Sequence, residues 1–415
     1  MRLRLLFPAL LLLAVASSRC GAAYEPVIDA APHDYWSKPL QDRFTKLKTE
    51  VEAGRLVLDG AGGEKAFLLS VLKALEVPVS SQMLVFSTTS LQLRLITPEN
   101  PRALYFNEDT YIGYIPGGKL EVVSIDPALG GIFYITDVPR GNEPFRAERS
   151  NRCANCHVAE DSGYVPGLVV KSVLPGVRGG SLETFRKAQT GHAVPLKDRF
   201  GGWYVTGVER LGPHLGNVFG QYAAGGELQK MPLEPGTRFD FARYLAATTD
   251  VLPQLLHEHQ IGFVNRAVAA TYRTRELVAQ GKATDAVLTE LDGIARAFTR
   301  YLLFADEVPL PRGAVVGDPA YKTDFLRTRR ADPRGAALKD FDLQTHLFRY
   351  RCSYMIYSAA FTGMPPEIKQ RVYHRIWQAL DLARPDPEYA YLPPVEKQNI
   401  RAILRATLKD LPAGW

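Results

Sequence analysis

The spacing of hydrophobic residues changes character along the chain. Helical spacing marks two early segments, Asp34 to Glu52 and Gly62 to Leu75. From Gln82 to Asp137, short runs rich in β-branched and aromatic residues alternate with turn residues instead. These runs predict a meander of about five strands, which are Met83 to Phe86, Arg102 to Phe106, Thr110 to Ile115, Lys119 to Ile125 and Gly131 to Thr136.

Helical spacing dominates the chain after Phe239. Asp250 is a suitable N-cap for a long helix that runs through Gln280, and Thr284 to Ala305 repeats the pattern. Further helices are predicted over Asp340 to Ala360, Pro366 to Leu382 and Pro394 to Leu408, and a loop is predicted over Pro309 to Arg334.

The middle of the chain is irregular and rich in glycine. It carries weaker signals for strands over Tyr164 to Val173 and Gly202 to Thr206, with a short helix over Ser181 to Gln189 between them. We therefore expect an α+β protein, in which a β-meander and an irregular region pack with a mainly helical C-terminal half. The expected parts are a signal peptide at 1–23, an N-terminal helical segment at 24–82, a β-rich region at 83–238 and a helical region at 239–415.

The amino terminus has the pattern of a secretory signal peptide. Arg2 and Arg4 precede a short apolar stretch, and small residues up to Ala23 supply a cleavage site. The stretch of about twelve apolar residues is shorter than the ~20 that a membrane-spanning helix needs. Lipidation at Cys20 is a weaker alternative, because Arg19 stands where a small residue is expected. The sequence predicts an exported, periplasmic protein with no membrane span in the mature chain.

Charge and composition add little to this picture. The chain has 50 Lys and Arg residues against 44 Asp and Glu, but Arg2, Arg4 and Arg19 leave with the signal peptide, so 47 basic residues remain. The near balance gives no reason to expect a nucleic-acid partner. A hydrophobic fraction of 46% supports a sizeable core.

The run Cys153-Ala154-Asn155-Cys156-His157 has the C-x-x-C-H spacing of covalent haem attachment. The thiols of Cys153 and Cys156 can each add to one haem vinyl group, and His157 is then placed to coordinate the iron. The sequence therefore predicts one covalent haem c, bound within the β-rich region.

Two other chemistries use closely spaced cysteines. Zinc needs further Cys or His ligands, which a distant Cys352 could help to supply, although a lone thiol of this kind is more often a core residue. A thioredoxin-like dithiol needs the pair to open a helix after a strand, whereas a charged, turn-like run precedes Cys153. Both alternatives fit this sequence less well than haem.

The expected activity depends on the sixth coordination position of the iron. Candidate ligands are His214, His192 and Met231, while His259 lies on the apolar stripe of the long helix, where a core histidine is the usual finding. A filled position predicts electron transfer to or from a redox partner protein. An open position instead predicts a haem enzyme, for example a peroxidase or a gas-ligand oxidoreductase.

A series of longer motifs extends over most of the mature chain. They are FNEDTYIGYIPGG, DPALGGIFY, the cysteine motif, GGWYVTG followed by HLGN, HEHQIGFVN, FDLQTHLFRYRCSYMIYS and the terminal LPAGW. Together they resemble a group of exported bacterial proteins described as cytochrome c domain-containing proteins. The resemblance implies a single haem c and export, and it leaves the redox partner and any substrate open.

Overall fold

A computed structural model describes residues 24–139, 143–185, 190–281 and 284–415. The predicted signal peptide, with its cleavage site and Cys20, lies outside the described residues. Within them the chain combines an antiparallel sheet with a largely helical C-terminal half, so the predicted α+β class is confirmed. Among these residues no helix has the length and apolar character needed to cross a membrane.

Seven strands form the main sheet, in the order β6-β5-β4-β3-β2-β1-β9. Strands β1 to β5 follow one another as antiparallel neighbours, which confirms the predicted meander. Two small hairpins, β7 with β8 and β10 with β11, lie outside the main sheet. The strands are β1 (Met83–Val85), β2 (Arg102–Phe106), β3 (Thr110–Tyr114), β4 (Leu120–Asp126), β5 (Gly130–Thr136), β6 (Ala147–Arg149), β7 (Val173–Pro175), β8 (Ser181–Thr184), β9 (Trp203–Tyr204), β10 (Val218–Tyr222) and β11 (Leu228–Pro232).

The C-terminal half is built around one long helix. This helix, α4 (Val251–Ala279), starts at the predicted cap, where the Asp250 carboxylate accepts a hydrogen bond from the backbone N–H of Leu252 at 3.0 Å. The next long helix is capped in the same way by Thr284. In chain order the helices are α1 (Arg43–Glu52), α2 (Glu64–Ala74), α3 (Ala154–His157), α4 (Val251–Ala279), α5 (Asp285–Leu302), α6 (Pro319–Leu326), α7 (Ala359–Thr362), α8 (Pro366–Ala379) and α9 (Pro394–Thr407).

The two faces of the main sheet pack against different parts of the chain. Alternate residues such as Tyr105 and Ile112 share a core with Phe44 of α1 and Phe67 of α2. The opposite set, which includes Phe106 and Tyr111, packs in a second core with α4. We call the surface that faces α4 the inner face of the sheet.

Several expected elements are absent or different. Asp340 to Ala360 was expected to be helical, but the carboxylate of Asp342 accepts hydrogen bonds from three successive backbone N–H groups and forms a turn there. Ser181–Thr184 is a strand, because a glycine-rich turn pairs it with β7, and residues 186–189 of the expected helix lie outside the description.

Other elements differ from the prediction in their extent or in their type. The first helix begins only at Arg43, where Asp42 caps it, and most of Tyr164 to Val173 is irregular rather than a strand. The expected loop over Pro309 to Arg334 contains α6, which starts after the Asp318 cap.

Candidate functional site

The cysteine motif lies at one edge of the main sheet. Strand β6 pairs with β5, and the cysteine motif follows β6 within a few residues along the chain. The guanidinium of Arg149, at the end of β6, stacks over the rings of Tyr35 and Trp36 and donates a hydrogen bond to the carbonyl of Tyr35 at 2.8 Å. These contacts hold the segment before the motif in place.

Both motif cysteines are free thiols that reach the surface to different degrees. Cys153 is partly exposed, Cys156 is exposed, and both lie next to or within the single turn of α3. Burial raises the pKa of the Cys153 thiol. Cys352 is fully buried in the core around α4, which is the ordinary position expected for a lone structural cysteine.

His157 is held in one orientation by a backbone carbonyl. Its Nδ1 lies 2.9 Å from the carbonyl oxygen of Gly167, and its ring packs against Phe133 of β5 at 4.8 Å between centroids. A carbonyl oxygen only accepts hydrogen bonds, so Nδ1 carries the proton and Nε2 retains its lone pair. This is the arrangement by which proteins orient a histidine that coordinates a metal.

The loop that supplies this carbonyl is fixed to α4. The side-chain amide of Asn265 accepts a hydrogen bond from the N–H of Leu168 and donates one to the carbonyl of the same residue, both at 2.8 Å. A Cβ at Gly167 would lie 2.5 Å from the Asn265 amide oxygen, so the close approach requires glycine. Helix α4 therefore positions His157 through this loop.

A second histidine on α4 faces the same surface of the sheet. The ring of His257 lies 5.3 Å from that of Phe106, 5.8 Å from that of Tyr111 and 6.2 Å from that of Trp203. The side chain is buried, and burial lowers its pKa to about 3, so the imidazole is neutral. Its position makes it a candidate metal ligand that the sequence analysis did not select.

One row of sheet residues extends from one histidine to the other, and we call this row the floor. Phe106, Tyr111, Val123 and Phe133 are successive cross-strand partners, so they form one row across β2, β3, β4 and β5. His257 contacts the first two residues of the row and His157 contacts the last. Val123, which lies between them, is only partly buried although it is apolar and in the middle of the sheet.

Charged groups border the same part of the inner face. Arg102 of β2 pairs with Glu121 of β4 at 2.8 Å, and Ser90 also donates to this carboxylate. Burial alone would raise the pKa of Glu121, but Arg102 and the donated hydrogen bonds outweigh it and lower the pKa. Burial also lowers the pKa of both His157 and His257, and the charge of Arg102 contributes to each shift.

Comparisons with protein-family models, curated proteins and solved structures found no match.

The residues around this floor fit the predicted haem. Two thiols stand beside an oriented imidazole, and apolar side chains such as Val123 and Leu104 remain partly accessible on the inner face. The buried Nε of Arg102 has no hydrogen-bond partner among the described residues, and a carboxylate such as a haem propionate would satisfy it.

The three predicted distal ligands lie in other surroundings. The His192 ring is fully enclosed and its Nδ1 is 2.7 Å from Nδ1 of His259, while His214 accepts a hydrogen bond from the N–H of Gly216 at 3.1 Å. Met231 is exposed on β11. None of the three makes a hydrogen bond or ring contact with His157 in the described part of the chain. His259, which also bonds Ser353 at 2.7 Å, is a hydrogen-bonded core histidine as expected.

A separate cavity of about 490 Å³ lies between α4 and the segment that follows the motif. Its lining includes Glu258, Arg199 and Arg266. Glu258 pairs with Arg199 at 3.2 Å, and burial raises the pKa of Glu258 to about 7 in spite of this partner. The lining therefore combines charged groups of α4 with groups of the segment that follows the motif.

Proposed function

We propose that this protein is an exported monohaem c-type cytochrome that transfers electrons. In this proposal Cys153 and Cys156 carry the covalent haem, and His157 coordinates the iron. The observation that carries the proposal is the hydrogen bond between Nδ1 of His157 and the carbonyl of Gly167. It leaves Nε2 free to bind iron, beside two thiols at the spacing of haem attachment.

Haem bound at this site would supply one-electron redox chemistry. Different residues of the protein would support this haem in different ways. Gly167 keeps the proton on Nδ1 of His157, and the inner face of the sheet excludes water through apolar residues such as Val123 and Leu104. Arg102 pairs with Glu121 and retains an unpartnered Nε–H, which would donate a hydrogen bond to a propionate.

The proposal includes export and a redox partner protein. Covalent haem attachment takes place outside the cytoplasm, which agrees with the signal sequence expected at 1–23. The exposed thiol of Cys156 would place one edge of the haem at the protein surface. A surface edge lets a docked protein exchange electrons without opening the fold.

The test is to produce the mature chain in a host that attaches haem c and to look for haem that resists denaturation. Retained haem in denaturing electrophoresis, with the matching mass increase, is the expected result. Replacing both Cys153 and Cys156 by serine should abolish the covalent haem. A matched Cys352→Ser variant should retain it, because this thiol lies in the core. A wild-type chain without covalent haem under these conditions contradicts the proposal.

A haem enzyme is the second candidate, and the cavity lined by Glu258 and Arg199 favours it. A cavity with buried ionisable groups could hold a small polar substrate. Turnover of hydrogen peroxide or nitric oxide by the haem-loaded protein, lost in Glu258→Gln, would support this function. Absence of turnover, together with reversible reduction and oxidation, would favour the electron carrier.

A further inference from the structure

We infer that His257 is the second axial ligand of the iron, on the side of the haem opposite His157. The inference rests on the proposed function, since it needs a haem at the cysteine motif. It names a residue of α4 in place of the candidates that the sequence favoured.

The first support is the position of the two rings over the sheet. His157 contacts Phe133 of β5, and His257 contacts Tyr111 of β3 and Phe106 of β2. Neighbouring strands are about 4.8 Å apart, so Tyr111 and Phe133 lie roughly 10 Å from each other. The two imidazoles therefore stand over the same row of residues, on opposite sides of Val123.

The second support is the surface left between them. Val123 and Leu104 are apolar side chains in the interior of a sheet, yet both are only partly buried. Gly113, the partner of Leu104 on β3, contributes no side chain to this surface. A flat apolar group that stands between the histidines would cover this surface, and the haem macrocycle is such a group.

The third support is the hydrogen bonding of the buried histidines. In the described part of the chain the ring of His257 makes no hydrogen bond, although it is only 6% exposed. Buried imidazoles normally find a partner, so this ring has unused coordinating capacity. The other buried histidines each use at least one ring nitrogen: His33 bonds Glu276, and His192 and His259 bond each other, while Nδ1 of His33 and Nε2 of His192 have no partner in the described part of the chain.

Arg102 also belongs to this surface. It alternates with Leu104 and Phe106 along β2, so its side chain projects from the inner face of the sheet. Its unpartnered Nε then lies where an anionic edge of the same haem could reach it. One haem between the two histidines accounts for this unpartnered group.

Optical and electron paramagnetic resonance spectra of the haem-loaded protein test the assignment. The wild type should be low-spin, and its reduced form should not bind carbon monoxide. His257→Ala should become high-spin and bind carbon monoxide, and added imidazole should restore the low-spin spectrum. His257→Met should remain low-spin with a higher reduction potential, because methionine ligation raises the potential of a haem.

Controls separate this assignment from the earlier proposal. His214→Ala, His192→Gln and Met231→Ala should retain the low-spin spectrum of the wild type. If the His257→Ala protein stays low-spin and does not bind carbon monoxide, the assignment of His257 as a ligand is wrong. The proposal of a c-type cytochrome would be unaffected by this result. If the His257→Ala protein does not accumulate, His257→Met provides the test instead. A His257→Met protein with the same reduction potential as the wild type would contradict the assignment of His257 as a ligand. A wild-type chain without covalent haem would overturn both.

Discussion

The side-chain amide of Asn265 bonds both the N–H and the carbonyl of Leu168, at 2.8 Å each, and so joins the middle of the longest helix to the loop that orients His157. Asn265→Ala removes both bonds and leaves two backbone groups without these partners. We expect a loss of about 2 kcal/mol in the free energy of unfolding, measured by denaturant titration.

If haem is bound as proposed, the same variant should also change its reduction potential. If the loop no longer fixes the carbonyl of Gly167, the ring of His157 is less well oriented, and the reduction potential should shift. Asn155→Ala is the matched control, because Asn155 is exposed on the motif itself. A potential and stability equal to those of the wild type in Asn265→Ala would show that the loop is held by other contacts.

Gly363 lies where the short helix α7 meets the turn between β4 and β5. A Cβ at this position would overlap the carbonyl oxygen of Pro127. Gly363→Ala should therefore lower the free energy of unfolding by about 1–3 kcal/mol. Gly293→Ala, in the interior of α5 with open space around it, should raise it by about 0.5–1 kcal/mol. Thermal unfolding of both variants measures the contrast, and equal effects would contradict the close approach at Gly363.

The buried carboxyl group of Asp109 should make the free energy of unfolding depend on pH. Burial raises its pKa to about 6, although the N–H of Ala359 donates to its carboxyl group at 2.8 Å. Because the folded-state pKa exceeds the unfolded value of about 4, this group favours folding most below pH 4 and loses its contribution as the pH rises through 6.

Asp109→Asn should remove this part of the pH dependence. The stability of the wild type relative to the variant should fall by up to about 3 kcal/mol between pH 4 and pH 7. Denaturant titrations at both pH values measure the difference. Asp137→Asn serves as control, since the Asp137 side chain is 60% exposed. Parallel curves for wild type and Asp109→Asn would exclude the effect.

Cys156 and Cys352 should differ in reactivity in the haem-free chain. Cys156 is exposed, whereas Cys352 is fully buried and burial raises the pKa of its thiol. In the haem-free chain, a water-soluble alkylating reagent should modify Cys156 rapidly and Cys352 only after denaturation. Mass spectrometry of peptides resolves the two sites, and fast modification of Cys352 in the folded chain would contradict its placement in the core.

Local sequence signals were sufficient for the meander and for α4. Turn residues such as Gly117, which adopts a left-handed φ of 80°, separate the strands, and Asp250 marks the start of the helix. They were insufficient for Asp340 to Ala360, whose aromatic residues imitate helical spacing. Phe341 and Phe348 instead stack on each other across a turn, a contact that no local pattern reveals.

The contact of His257 with the sheet could not be predicted from the sequence of its helix alone. Helix α4 is buried on nearly all sides for its first half, so its hydrophobic pattern does not show which face meets the sheet. His257 and His259 therefore look alike in the sequence, although one contacts Tyr111 and the other bonds Ser353. Only the register of β2 to β5 shows that His257 and His157 stand over one row of residues.

His157 and His257 belong to opposite halves of the molecule, so a haem bound by both would join these halves mechanically. His157 is carried by the sheet edge and His257 by the helical half, one hundred positions later in the sequence. An iron bound by both histidines would close a long loop of the chain. Closing a long loop reduces the conformational entropy of the unfolded chain more than closing a short one. Attachment of haem and locking of the helical half onto the sheet would then be a single event in the maturation of the protein.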